Sequence, residues 1–487
     1  MLRSGTERKE RHRGRGTAAA LALLLVAGCA APPETLMETP VLYERGAVSP
    51  FEHLAENKRT PCVDVLFATD RARLETRGNA GGADVSYGTR VGATTRLGHA
   101  RVRFGEDLSW AELEAASLGR RAEDQVIALH LEDVRELGRL GPREHARAAP
   151  EEHGHEEFAA RLDAQIAGSA DPDVFVYVHG ARVDFYRCVA RSAEFAHFAG
   201  RDFATVVFDW PSHPQIFSYL TGTDVQRARR ASASLAHLLE LIAHDTRARR
   251  VHILAYSAGA RVASHALSDL RSTYSDLSAE ELRARLRIGT VVYAAGDLEV
   301  QHFLELAHDV HDVAERLCVL SSDADNVLRM AERFMGGGER LGELRPEELI
   351  ELAMAGVSSL ERLEVVDVSA GKSERGFDIG GHHYWYRHPW ISSDLILNIR
   401  ASLQPGQRGL VPLGTRGVWG LSGDYPDRAH EAALEAKEGN WTPGPRKAGI
   451  EPNSKADAAS AGSASFVVVD PGGDPMPIDQ LAPKPGN

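Results

Sequence analysis

Between Val174 and Val368 short apolar runs alternate with longer segments whose apolar residues recur at helical spacing. The runs are Val174–Val178, Thr205–Phe208, Val251–Ala255, Thr290–Tyr293, Leu317–Leu320 and Leu363–Val368. They are short, rich in β-branched residues and mostly apolar, which predicts strands buried on both faces. Between them, Arg187–Phe198 and Asp224–His244 read as helices, the second carrying Leu235, Leu238 and Leu239 on one stripe. Ser278 followed by Glu281 is a capping box that opens another. Such alternation predicts an α/β fold: a mostly parallel central sheet with helices on both faces. The last of the runs, Leu363–Val368, reads as the final strand.

The upstream third is less regular. Cys62–Thr69 alternates as a strand, Ala100–Phe104 reads as a second, and Ser109 with Glu112 opens a helix. Gly78–Gly92 is glycine-rich and polar, which predicts a loop. His145–Glu157 is a polar stretch holding His145, His153 and His155, expected as a solvated insertion and not as a metal site. Ala30–Glu56 contains Pro32, Pro33, Pro40 and Pro50 and reads as a tether. From Lys437 the chain is rich in Gly, Pro, Ala and Ser and is expected to be disordered.

The N-terminus changes the cellular picture. Arg3, Arg8, Lys9, Arg11, Arg13 and Arg15 precede an apolar stretch, Thr17–Ala27, too short to span a bilayer. It ends in Val26-Ala27-Gly28-Cys29, which resembles a bacterial lipobox. The resemblance implies cleavage before Cys29, lipid on its sulfur, and membrane anchoring of the mature chain. Residue 30 is Ala, not the aspartate that retains lipoproteins in the inner membrane, so the outer membrane facing the periplasm is expected. Losing residues 1–28 removes six basic and two acidic residues, taking the net charge from −13 to −17. That balance offers no basic stripe for a nucleic-acid partner. Cys62, Cys188 and Cys318 remain, an odd number whose spacing fits no metal site; one disulfide among them stays open.

The chemistry centres on Val251–Ala260. An apolar run reaches Ala255-Tyr256-Ser257-Ala258-Gly259, and a helix-compatible stretch follows at once. That is the strand–turn–helix context of a nucleophile elbow, with small residues two before and two after the serine. A serine needs a base, an orienting acid and donors for an oxyanion. The elbow architecture orders them along the chain as serine, carboxylate, histidine. Asp325, Asp297 and Asp323 each follow a predicted strand and are candidate acids, with the helix N-cap as the plain alternative. His382 and His383, after Gly380-Gly381, are candidate bases, and His388 is a weaker one. The backbone N–H of Ala258 is one expected oxyanion donor. The other is that of Ala181, in His179-Gly180-Ala181-Arg182 after the first core strand. His179 reads as structural.

Taken together these pieces resemble a bacterial α/β-hydrolase family over roughly Val63–Leu397. They are Phe67-Ala68-Thr69-Asp70-Arg71, Ser86-Tyr87-Gly88, Tyr177-Val178-His179-Gly180, Phe208-Asp209-Trp210-Pro211-Ser212, the elbow, Asp325-Asn326-Val327-Leu328 and Gly381-His382-His383-Tyr384. The resemblance implies an α/β-hydrolase fold and a triad of Ser257, His382 and Asp325, with Asp297 as the alternative acid. Tyr256 and Ala258 stand where the family has His and Met, and Asn326 and Val327 alter its acid loop. The expected organisation is a signal peptide (1–28), a tether (29–56), N-terminal strands with an insertion (57–170), a catalytic core (171–403), a C-terminal extension (404–436) and a tail (437–487). The expected activity is a serine hydrolase acting on carboxylic esters of small molecules or lipids, anchored in the membrane through Cys29. No metal, nucleotide or flavin is implied. The alternatives are a non-catalytic envelope binding or scaffold protein on the same fold and an envelope transacylase.

Overall fold

The computed structural model describes residues 32–438, apart from 75–84, 123, 142–153, 214–222, 336–337, 346, 349–361, 370–380 and 415–416. The leader, Cys29, His145, His153, Gly380 and the chain beyond 438 lie outside the described residues. The strands are β1 (Cys62–Leu74), β2 (Ser86–Phe104), β3 (Leu129–Leu140), β4 (Val174–Val178), β5 (Ala204–Asp209) and β6 (Val251–Tyr256). They continue with β7 (Ile288–Ala294), β8 (Ala314–Ser321), β9 (Leu363–Asp367), β10 (Val411–Pro412) and β11 (Val418–Gly420). All belong to one sheet, in the order β10-β11-β9-β8-β7-β6-β4-β5-β1-β2-β3. Neighbours from β11 to β1 run parallel. The two margins, β10-β11 and β1-β2-β3, are antiparallel.

The helices are α1 (Trp110–Ser117), α2 (Glu156–Ala167), α3 (Phe185–Phe198), α4 (Thr223–Asp245), α5 (Gly259–Thr273) and α6 (Ala279–Leu286). They continue with α7 (Val300–Val313), α8 (Asn326–Met335), α9 (Tyr384–Arg387), α10 (Pro389–Ile399) and α11 (Tyr425–Glu438). Because strand side chains alternate, one apolar run feeds two cores. Val174, Val176, Val178, Val251 and Ile253 pack with α2, α4, α5, α6 and α7. Phe175, Tyr177, Leu254 and Tyr256 pack on the other face with α1, α3, α9, α10 and α11. This is the expected α/β-hydrolase arrangement.

Several upstream expectations need correction. Residues 32–56 are not a free tether: Leu36, Val41, Leu42, Tyr43 and Val48 are buried in the second core, and Phe51 and Leu54 are buried as well. The prolines prevent regular structure, but the apolar residues between them still dock. The Gly78–Gly92 segment is a loop at most in part, since β2 already runs from Ser86 and pairs Tyr87 with Arg73 and Val91 with Arg71. The backbone ladder overrides the weak strand preference of Gly88 and Gly92. β3 has no clean apolar signature because it is a sheet edge, and its charged residues suit that position. β9 is not the last strand: β10 and β11, two and three residues long, extend the sheet from the 404–436 region. His155 precedes α2, and the free thiols Cys62, Cys188 and Cys318 form no disulfide among the described residues.

Candidate active site

β6 delivers Ser257 at its C-terminal end and α5 carries the chain away. The turn puts Ser257 in the left-handed region, φ 52°. A β-carbon makes that conformation unfavourable, by about 1–3 kcal/mol, so surrounding bonds must hold it. They do: Ser257 N–H donates to Ala294 O at 2.9 Å, and Asp297 N–H donates to Ser257 O at 3.0 Å. Both partners lie in or just after the end of β7. Gly259 has to be glycine, because a β-carbon there would sit 2.5 Å from Val178 O.

Asp325 follows β8 and His382 follows β9. Gly381 bends the chain back with φ 62°, and any side chain there would strike Ala324 O at 2.2 Å. The three side chains meet: His382 Nδ1 lies 2.7 Å from Asp325 Oδ2, and His382 Nε2 lies 2.9 Å from Ser257 Oγ. A carboxylate can only accept, so Nδ1 carries the proton and Nε2 is left to accept from the hydroxyl. Asp325 combines both readings open to it: Oδ1 accepts the N–H groups of Val327 and Leu328 and caps α8, while Oδ2 faces the imidazole. Burial pushes the Asp325 carboxyl above the usual range, although His382 and the two amides hold part of that rise back.

The other candidates fall elsewhere. Asp297 is fully buried, but its carboxylate faces Arg261 at 3.5 Å and Arg340 at 3.6 Å. Burial pushes it up to about 6 despite Arg340. Asp323 is half-buried in the loop before α8. His383 Nδ1 meets the Tyr256 hydroxyl at 2.7 Å, and His388 caps α10 by accepting Trp390 N–H. The loop carrying Ala181 touches the elbow, since a β-carbon on Gly180 would come 2.8 Å from Ser257 Cβ. Ala258 stands at the N-terminus of α5, where peptide dipoles favour negative charge.

The model of a family described as α/β hydrolase of unknown function (DUF900) matches residues 154–398. The chain belongs to this family. Those residues span all three expected triad positions and both expected oxyanion donors. No curated protein matches the chain. Among solved structures it is similar to a lipase-esterase related protein from Clostridium acetobutylicum, at 15% identity. The similarity covers 45% of this chain and 90% of that one, with a TM-score of 0.20.

Two parts of this α/β-hydrolase site have no role assigned from sequence. The first is a buried brace under the Ala181 loop. Arg71 Nε donates to both carboxylate oxygens of Asp209, at 2.9 and 2.8 Å, and Thr69 Oγ1 donates to Oδ2 at 2.6 Å. His179 Nε2 lies 3.1 Å from Asp209 Oδ1, with its ring stacked on Trp210. Arg71 also reaches Val183 O at 2.6 Å and Ser212 O at 3.1 Å. Thus the quoted segments 67–71, 177–180 and 208–212 converge on one loop. His179, Cys188 and Asp209 offer ligand atoms within 4.8 Å of one another. Arg71 already compensates that carboxylate and its charge opposes a cation, so these residues fit a brace better than a metal.

The second part is Tyr384. Its hydroxyl accepts Ala295 N–H at 2.6 Å and donates to Leu320 O at 2.9 Å. Ala295 itself has φ 49° and lies between the two residues that grip Ser257. Leu320 is the penultimate residue of β8, the strand leading to Asp325, and Tyr384 is two residues past His382. One phenol therefore ties together the three chain segments behind the serine, the aspartate and the histidine. The sequence signal was its place in Gly-His-x-Tyr, which marks the position without its contacts.

Proposed function

We propose that the protein is a serine hydrolase of carboxylic esters. Ser257 Oγ attacks the acyl carbon while its proton passes to His382 Nε2. Asp325 orients the imidazole and stabilises the imidazolium that forms. The oxyanion is received by the N–H groups of Ala258 and Ala181. Collapse expels the alcohol, which takes the proton from His382 and leaves an acyl group on Ser257. Water then repeats the sequence, with His382 as base, and releases the acid. The observation that carries this reading is the continuous chain Ser257 Oγ–His382–Asp325, at 2.9 and 2.7 Å, on a serine held at φ 52°.

A fluorophosphonate probe tests it. The wild-type protein should be labelled covalently and Ser257→Ala should not. Absence of wild-type labelling, or equal labelling of both, overturns the reading. Turnover of short-chain p-nitrophenyl esters should vanish in parallel.

We further propose that Cys29 carries lipid and holds the enzyme on the outer membrane, where esters of small molecules or lipids are its substrates. No helix among the described residues is long and apolar enough to cross a membrane. Cys29→Ser should move the protein from the membrane fraction to the soluble one. Unchanged retention counts against the anchor and leaves the hydrolase reading intact.

A further inference from the structure

Two histidines outside the triad converge on one point. His265 lies on α5, the helix that begins two residues after Ser257, and His302 lies on α7. Their Nε2 atoms are 3.2 Å apart, with ring centroids 4.9 Å apart. On the far side of its ring, His302 Nδ1 faces Glu305 Oε2 at 3.0 Å. A carboxylate accepts only, so it keeps the proton on Nδ1 and leaves Nε2 as a lone pair directed at His265.

That spacing has a chemical meaning. Zinc-class ions hold imidazole nitrogen at roughly 2.0–2.1 Å, so two such ligands on one ion stand roughly 2.8–3.4 Å apart between right and tetrahedral angles. The two nitrogens already meet this condition with both helices in place. Both rings are half-buried, so an ion can enter from solvent.

We propose that His265 and His302 form a binding site for a divalent transition cation of the imidazole-preferring class, Zn2+, Ni2+ or Cu2+. Glu305 supports His302 from behind, and water fills the remaining positions. The guanidiniums of Arg229 and Arg261 act electrostatically on His265. The same two guanidiniums repel a dication, which makes this an exchangeable site and not a permanently loaded one. A bound ion ties the helix behind the nucleophile to the helix that follows the Asp297 loop. The proposal does not depend on the esterase reading.

A hydrogen bond between two neutral rings gives the same spacing and is the competing account. Calorimetric titration of the full-length protein with ZnCl2 and with NiCl2 separates them. Wild type should take up one equivalent more than His265→Gln or His302→Gln. Glu305→Gln should keep that equivalent with about 10–100-fold weaker affinity. With one equivalent of Cu2+, electron paramagnetic resonance should report two imidazole nitrogens in wild type and one in either histidine variant. Zn2+ should raise the melting temperature of wild type most, that of Glu305→Gln less and that of neither histidine variant, against unchanged metal-free melting of all four proteins. Equal stoichiometry and affinity in wild type and both histidine variants overturns the proposal.

Discussion

Two buried aspartate–histidine pairs flank the elbow, and they differ in what compensates the carboxylate. At Asp209–His179 the aspartate also receives Arg71 and Thr69, and the other His179 nitrogen is taken up by Gly180 O at 2.7 Å. At Asp325–His382 the aspartate receives two helix amides and no guanidinium, and the other histidine nitrogen meets a serine hydroxyl. Burial raises both carboxyls. At Asp209, Arg71, His179 and Thr69 outweigh it and hold the carboxyl below its usual range, whereas Asp325 stays above it. A carboxylate neutralised in the ground state can only hold architecture. One whose sole nearby cation would be a protonated histidine stabilises that cation when it forms. The residue types are the same, and the guanidinium separates the brace from the pair proposed for catalysis.

The largest effect should be on turnover. Asp325→Asn removes the acceptor that fixes the His382 tautomer and should lower kcat by about 10⁴-fold, with modest loss of stability. Equal kcat in the variant breaks the proposed division of labour. The brace should behave in the opposite way. Arg71→Met leaves Asp209 charged and unpaired in the core and should cost about 3–5 kcal/mol in urea unfolding. An Arg71→Met protein as stable as wild type would remove the distinction between the two pairs.

Tyr384→Phe leaves Ala295 N–H and Leu320 O buried without their shared partner, which should cost about 1–3 kcal/mol. If the phenol positions the triad, kcat falls while KM is kept. A stability loss with unchanged kcat would make Tyr384 a packing residue only.

The smallest and sharpest test is the pH dependence of two stability differences. Asp209 has a lowered folded-state pKa. Its contribution is complete above the unfolded carboxyl value, about 3.9, and is lost as pH falls through the folded one. The cost of Asp209→Asn should therefore shrink on acidification below about pH 4. Asp325 has a raised pKa, so the folded state binds its proton more tightly than the unfolded chain. Wild type should gain stability over Asp325→Asn as pH falls through that raised value toward 3.9. Difference curves of the same sign contradict the electrostatic contrast.

Legibility followed the strength of the local pattern. The six core runs from Val174 to Val368 predicted strands that the structure contains, because strands buried on both faces are nearly continuous apolar runs. β3 and the docked 32–56 segment were not readable, since an edge strand carries charge and a docked coil has no period. Ser257 stood out through its strand–turn–helix setting. Asp325 and Asp297 did not separate on their residues, because both follow strands; the resemblance alone ranked them. In space Asp325 faces the imidazole and Asp297 turns to Arg261 and Arg340.

The sequence by itself determined the alternation of strands and helices, the elbow serine, the order serine–aspartate–histidine and family membership. These are local or ordinal properties, written in periodicity and spacing. Only the tertiary structure decided which carboxylate meets which cation. It alone brought Arg71 to Asp209 across 138 positions, Tyr384 to Ala295 across 89, and His265 to His302 across 37. Electrostatic compensation depends on distance in space, and that distance exists only after the sheet has assembled.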